Sequence, residues 1–392
     1  MPPPLIILLP LLFLPTLTSA RQITFPPVAG IADPVGSFSK HGGGIKDITF
    51  DSEFFGLKTF ANLPYLNCLT GGGGGRKSVE EEDDDRNGRY DIAIIGAPFD
   101  TGVTARPGAR YGPSGVRTGS QRIEPNFSWS VYTGENVLAS WAKIVDCGDV
   151  PLTFLDNTYA LRQLDEAHKI ISGKPAHTLL KSKTPRIITL GGDHTTTLSA
   201  LRSTYERWGP VSVIHFDSHI DTWDPEVLGG GVSHYAGVNH GTFLHIAHEE
   251  GLILNSSIHA GIRAPVSRPK RDITNDRRCG FEIVTARDID RLGMKGVIDK
   301  LKERVGENKV YISVDVDVLD PAYAPATGTA EPGGWTTREL LTILDGLSGL
   351  KVIGADVVEV APIYDNPGET TVLAAAEVAY SLITLMVHVP VS

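Results

Sequence analysis

Short, uninterrupted apolar runs alternate along this chain with longer stretches whose apolar positions recur at helical spacing. Runs of strand length lie at 91–96, 186–191, 211–216, 257–261, 309–314 and 351–356. Strands that read as continuous apolar runs, without polar alternation, are buried on both faces. Between them the spacing predicts helices over 158–172, where Leu161, Leu164 and His168 fall together, and over 195–207, 288–304 and 336–347. The alternation predicts an α/β fold: three layers, α/β/α, around a central, mostly parallel sheet. No internal repeat interrupts it, and residues 90–390 read as one domain.

The segments before that domain have a different character. Residues 5–14 are almost wholly apolar and are followed by Pro15 and the small-residue run Thr18-Ser19-Ala20. Ten residues are too few to span a bilayer, so 1–20 reads as a secretory signal cleaved after Ala20, which places the chain in the secretory pathway or outside the cell. No Lys or Arg precedes the run, and a buried helix or a membrane anchor is the alternative reading. No second apolar run of membrane-spanning length is expected, so the mature chain carries no stable membrane span. Residues 21–69 read as an extension packing on the domain. Five glycines at 71–75 and six acids at 80–85 make 70–89 a flexible, solvated insertion; a cation-binding tail is the alternative.

Composition narrows the partners. With 36 Lys+Arg against 46 Asp+Glu, the formal charge is −10, which argues against a nucleic-acid ligand. At 41% hydrophobic and 21% charged residues the chain has ordinary globular usage. Three widely spaced cysteines, Cys68, Cys147 and Cys279, allow at most one disulfide and make no metal-ligand pair. Asn126 and Asn255 begin glycosylation sequons, relevant only to a secreted chain.

The chemistry gathers where three apolar runs end. One leads into Gly191-Gly192-Asp193-His194, another into Asp217-Ser218-His219-Ile220-Asp221, and a third into Asp315-Val316-Asp317. In extended backbone, residues i, i+2 and i+4 share a face, so Asp217, His219 and Asp221 can converge, as can Asp315 and Asp317. Any one segment alone could be a solvated loop or a cap, but open parallel sheets bind ligands at the carboxyl ends of their strands. Four carboxylates and two imidazoles exceed the needs of one metal ion and suit two. With no cysteine the set is hard, favouring Mn²⁺ over a thiolate zinc centre. Two divalent ions, four carboxylates and a hydroxide sum to −1, so a cationic substrate fits.

These segments resemble the signatures of the ureohydrolase family, the arginases and agmatinases: Gly-Gly-Asp-His194, Phe-Asp217-Ser-His219-Ile-Asp221, and Ser-Val-Asp315-Val-Asp317-Val-Leu-Asp-Pro321. The resemblance implies an arginase/deacetylase-like fold and two Mn²⁺ per subunit. His194 and Asp221 would hold one ion, His219 and Asp317 the other, and Asp217 and Asp315 would bridge them. It implies hydrolysis of a guanidino compound by a metal-bridging hydroxide, with Asp221 orienting that hydroxide. His240 would serve as general acid or proton shuttle, and Glu359 would hold the guanidinium. The segments 95–100, 106–113 and 239–243 are similar to the agmatinase branch, and residues 235–238 offer few side-chain donors for an α-carboxylate. Agmatine is therefore the expected substrate, with putrescine and urea as products and a place in polyamine biosynthesis. A guanidinobutyrase or another amidinohydrolase is the runner-up, and a secreted non-catalytic binding protein is the alternative of a different class. The family implies a homo-oligomer, trimer or hexamer.

Several other residues have expectations attached. His215 and His168 read as core histidines, and His234, His245 and His248 have no matched role. Arg263 reads as half of a structural ion pair. The stretch 327–335, ending in Trp335, departs from the usual family sequence and is expected to line the substrate pocket.

Overall fold

The computed structural model describes residues 56–70, 88–233 and 235–392. Eight strands run through it: β1 (Ile92–Gly96), β2 (Ile144–Asp149), β3 (Arg186–Leu190), β4 (Ser212–Phe216), β5 (Ser257–Ile262), β6 (Phe281–Thr285), β7 (Lys309–Asp315) and β8 (Lys351–Val358). They form one sheet in the order β2-β1-β3-β8-β7-β4-β5-β6, and every described pairing is parallel. The helices are α1 (Gly112–Gly119), α2 (Asn157–Ser172), α3 (Thr196–Trp208), α4 (Phe243–Glu249), α5 (Pro269–Arg278), α6 (Asp288–Val305), α7 (Thr337–Gly346) and α8 (Thr370–His388).

Two apolar layers sandwich the sheet. Val116 of α1, Val297 and Leu301 of α6, Leu340 of α7 and Leu382 of α8 share one core. Leu198 and Leu201 of α3, with Phe243 and Leu244 of α4, build another, and Leu164 and Ile171 of α2 a third. Local signals start the helices where the sequence changes character. The Asp156 side chain accepts from the Tyr159 N–H at the start of α2, and Thr336 and Glu339 form a reciprocal capping box on α7.

The six strands expected from apolar runs are all present; β2 and β6 were not foreseen. Both lie at sheet edges, and their sequences, Ile-Val-Asp-Cys-Gly-Asp and Phe-Glu-Ile-Val-Thr, mix polar residues into short runs. Asp146 is tolerated at full burial in β2 because Arg117 donates to both of its oxygens, at 2.8 and 3.0 Å. Residues 56–70 lie against this edge: the Leu66 N–H donates to the Asp146 carbonyl, and Cys68 is disulfide-bonded to Cys147. Cys279 is a buried free thiol.

The expectation of no second long apolar run is corrected. Helix α8 is 19 residues long, with mean hydropathy 1.7 over its most apolar window, and is long and apolar enough to cross a membrane. Of that window 72% is buried, packed on β8, α1 and α7, which accounts for its composition. The signal segment 1–20, most of the extension 21–69 and the glycine/acid run lie outside the described residues.

Candidate metal centre and active site

The central strands β3, β8, β7 and β4 are neighbours, and the candidate residues emerge from their carboxyl ends. His194 follows β3 just before α3, Glu359 follows β8, Asp315 ends β7, and Asp217 follows β4. The turn after β3 needs its glycines: a Cβ on Gly192 would lie 1.8 Å from the Phe99 carbonyl oxygen.

All six residues expected to ligate metal converge, although not through extended backbone. Residues 217–221 are bent, and Asp221 adopts a left-handed φ of 50°. After Asp315 the chain enters a 3₁₀ turn, Val316–Val318, with the Asp315 carboxylate accepting from the Asp317 N–H at 2.7 Å. Short polar side chains fold back on their own backbone here, which the alternation argument did not anticipate.

His194 Nδ1 lies 3.1 Å from Asp217 Oδ2, 3.2 Å from Asp221 Oδ2 and 3.4 Å from Asp315 Oδ2. His219 Nδ1 lies 3.2 Å from Asp217 Oδ1 and 3.1 Å from Asp317 Oδ2. Asp217 thus stands between the two groups, one oxygen toward each histidine. His194 Nδ1 and Asp217 Oδ2 are buried and lack hydrogen-bond geometry to any partner among the described residues. Buried atoms aimed at one focus without hydrogen-bond partners are an arrangement that a bound cation would satisfy.

Electrostatics give the same result. Burial pushes the Asp315 carboxyl well above its ordinary range, and the charges of Asp317 and Asp217 push it further. Burial and Asp217 raise Asp221 to about 6. For Asp217 burial works in the same direction, but His215, His194 and His219 outweigh it and hold the group well below the carboxylate range. His194 and His219 rise well above 6.5 because the surrounding carboxylates outweigh burial. Displacements of both signs within a few ångströms mark a site that demands added positive charge, from protons or from divalent ions. Hard oxygen and imidazole donors fit two such ions.

Beside the cluster, His240 Nδ1 donates to Glu359 Oε1 at 3.0 Å, and the same oxygen accepts from the His194 N–H at 2.9 Å. Glu359 is 1% exposed, with a left-handed φ of 60°, and its Oε2 has no hydrogen-bond partner among the described residues. Two of the strained non-glycine residues, Asp221 and Glu359, therefore sit in the site, where surrounding contacts hold them. Burial lowers His240 but Glu359, Asp221 and Asp193 outweigh it, raising the imidazole to about 9. Thr104 meets the other ring nitrogen: its N–H lies 3.1 Å and its Oγ1 2.8 Å from His240 Nε2.

A cavity of about 200 Å³ opens over the cluster, lined on one side by His219, Asp221, His240, Asp315 and Thr104 and on the other by Trp223, Val227 and Leu228. No Lys or Arg lines it among the described residues. Thr329 reaches this cavity, but Trp335 does not: it is 1% exposed, donates to the Ala286 carbonyl and packs edge-on against Phe216. That departure in sequence is a core substitution. Arg263 is corrected too. In place of an ion pair it donates to the carbonyls of Gly261, Asp317, Val318, Leu319 and Glu331, clamping the turn that carries Asp317.

Sequence reasoning missed Thr104, Asp193 and Asp356. Asp193 accepts from the Gly102 N–H at 2.7 Å and so anchors the loop bearing Thr104; its motif was in view, but not this contact. Asp356 accepts from the Ser313 hydroxyl at 2.6 Å, and Ser313 Oγ lies 2.8 Å from His194 Nε2, which keeps Nδ1 toward the cluster. His234 lies outside the described residues.

A parallel α/β sheet carrying a buried Asp/His cluster for two cations at its strand ends defines a binuclear hydrolase architecture. The Arginase family model matches residues 90–384, and the chain belongs to the arginase family. It is 48% identical to "Putative agmatinase 1" of Schizosaccharomyces pombe over 92% of this chain and 90% of that protein. It is 37% identical to an agmatinase of Neisseria meningitidis, covering 75% and 87% respectively. The fold is similar to that of proclavaminate amidinohydrolase from Streptomyces clavuligerus, with TM-score 0.71 and 32% identity, covering 86% of this chain and 99% of that one.

Proposed function

We propose that this chain is an agmatinase-like hydrolase that converts agmatine to putrescine and urea. The convergence of Asp217, Asp221, Asp317, His194 and His219, with Asp315 3.4 Å from His194 and His215 beside Asp217, around unpartnered buried atoms carries the reading. His194 and Asp221 would hold one divalent ion and His219 and Asp317 the other, with Asp217 and Asp315 shared; the hard donor set favours Mn²⁺. When bound, the two ions supply Lewis-acid charge and a water ionisable near neutral pH.

The chain's own groups account for the remaining steps. Asp221, held in its strained conformation, would orient the attacking water toward the guanidinium carbon. Glu359 fixes His240 through Oε1 and keeps Oε2 for the positive charge of the guanidinium. As the C–N bond breaks, His240 would pass a proton to the departing amine. Thr104 suits that transfer, because its hydroxyl can accept from Nε2–H and its N–H can donate to the bare nitrogen, so both protonation states have a partner.

Substrate choice follows from the cavity wall. A carboxylate on the substrate would be desolvated with no Lys or Arg in the described lining to pair with it, His240 being engaged by Glu359, which disfavours arginine and 4-guanidinobutyrate. Urea release from the three guanidines after Mn²⁺ reconstitution is the test. Agmatine should give the highest kcat/KM, and preference for guanidinobutyrate would overturn the assignment.

The secretory reading of residues 1–20 is supported by the Cys68–Cys147 disulfide, a bond that persists in oxidising compartments, and by the exposed Asn126. The exported chain should begin at Arg21 on N-terminal sequencing; retention of Met1 would contradict it. Assembly into trimers or hexamers is supported by exposed Phe127, Trp129, Val131 and Tyr132, and light scattering showing a monomer would exclude it.

A further inference from the structure

Behind the metal cluster runs a second line of polar groups that the proposed chemistry does not use. His215 of β4 and His259 of β5 are directly opposed in the parallel register, and their Nδ1 atoms lie 2.8 Å apart. His259 Nε2 lies 2.9 Å from Asp276 Oδ1 on α5, and that oxygen also accepts from the Thr222 hydroxyl at 2.7 Å. At the other end, His215 Nε2 lies 3.1 Å from Asp217 Oδ2, the oxygen that also faces His194. His215, His259, Asp276 and Thr222 are fully buried.

A core does not hold two imidazoles and a carboxylate without reason, since each costs desolvation that apolar residues of the same shape would not incur. Here the strands and α5 place them end to end: His259 meets a partner at both nitrogens, and His215 meets His259 through Nδ1 while its Nε2 stands against Asp217 Oδ2 without hydrogen-bond geometry. His259 is also pinned in plane by Phe281, stacked at 4.1 Å and 12°. Among the described residues, His215 Nε2 against Asp217 and Asp276 Oδ2 at the far end are the two atoms of the line without a hydrogen-bond partner.

We propose that His259 and Asp276 are positioning residues for the metal centre, acting through His215 to fix the Asp217 carboxylate in the orientation that both ions share. The inference rests on the metal reading above. Removing a partner that orients a ligating carboxylate weakens metal binding by roughly 10–100-fold, with contacts to the ion itself untouched.

Two substitutions separate positioning from packing. His259→Phe keeps the ring stacked on Phe281 and deletes both nitrogens, and Asp276→Asn keeps the shape of the acceptor while removing its charge. The metal-free wild type and both variants are titrated with Mn²⁺ by calorimetry, and the electron paramagnetic resonance of the bound pair is recorded. The expected result is affinity weakened roughly 10–100-fold and an altered spectrum of the coupled ions, with far-ultraviolet dichroism preserved. Thr222→Val, which removes only one hydroxyl, should give a smaller loss and decides the matter if either variant fails to fold. Wild-type affinity and spectrum in the variants would overturn the inference alone. A wild type that binds no Mn²⁺ would overturn the metal reading as well.

Discussion

His240 shows how far a single side chain depends on its neighbours. Its imidazole, at about 9, is charged across the neutral range only because Glu359 and the nearby aspartates outweigh burial. A general acid raised in this way is competent below that value and lost as pH rises through it. Activity should therefore fall on the alkaline side near pH 9, and Glu359→Gln should move that limb toward lower pH. His240→Asn should lower kcat by roughly 10²–10⁴-fold, measured as urea release across pH. An unmoved alkaline limb in Glu359→Gln would remove the pairing from the mechanism. The six clustered residues were legible in sequence because each motif is local and ends an apolar run. Thr104, His259, Asp276 and Asp356 were not, since they reach the site across the fold from segments with no motif of their own.

At the scale of elements, the same physics explains what was visible and what was not. Central strands β3, β8, β7 and β4 are covered on both faces and are mostly apolar, so they announce themselves. Edge strands need less apolar surface; β2 carries Asp146 and Asp149 against Arg117, and β6 exposes Glu282. The register at the β2 edge is held in part by covalent means. The Cys68–Cys147 bond, with Cα atoms 5.4 Å apart and the two cysteines 79 positions apart in sequence, ties the arm at 56–70 to this edge. Cys68→Ser should lower unfolding free energy in urea by about 2–4 kcal/mol. Kinetics of the centre, which is built on β3, β8, β7 and β4, should stay unchanged. A loss of activity at full stability would mean that the arm acts on the site directly.

For the whole molecule, the layered α/β plan was legible because alternation of strand and helix leaves few ways to cover a parallel sheet. The convergence of strand ends followed from the plan, but its means did not. Bends after β4 and β7, a left-handed Asp221 and the Arg263 clamp do the work that straight strands were expected to do. The overall charge of −10 carries little of this; four buried carboxylates around two histidines carry it. We propose that this cluster is a two-ion centre for hydrolysing a cationic guanidine. Stripping the protein with a chelator and titrating Mn²⁺ back while following urea release from agmatine tests it most directly. The expected result is no urea without metal and activity that saturates at two ions per chain. Urea release indifferent to chelation, or none at any manganese concentration, would contradict it.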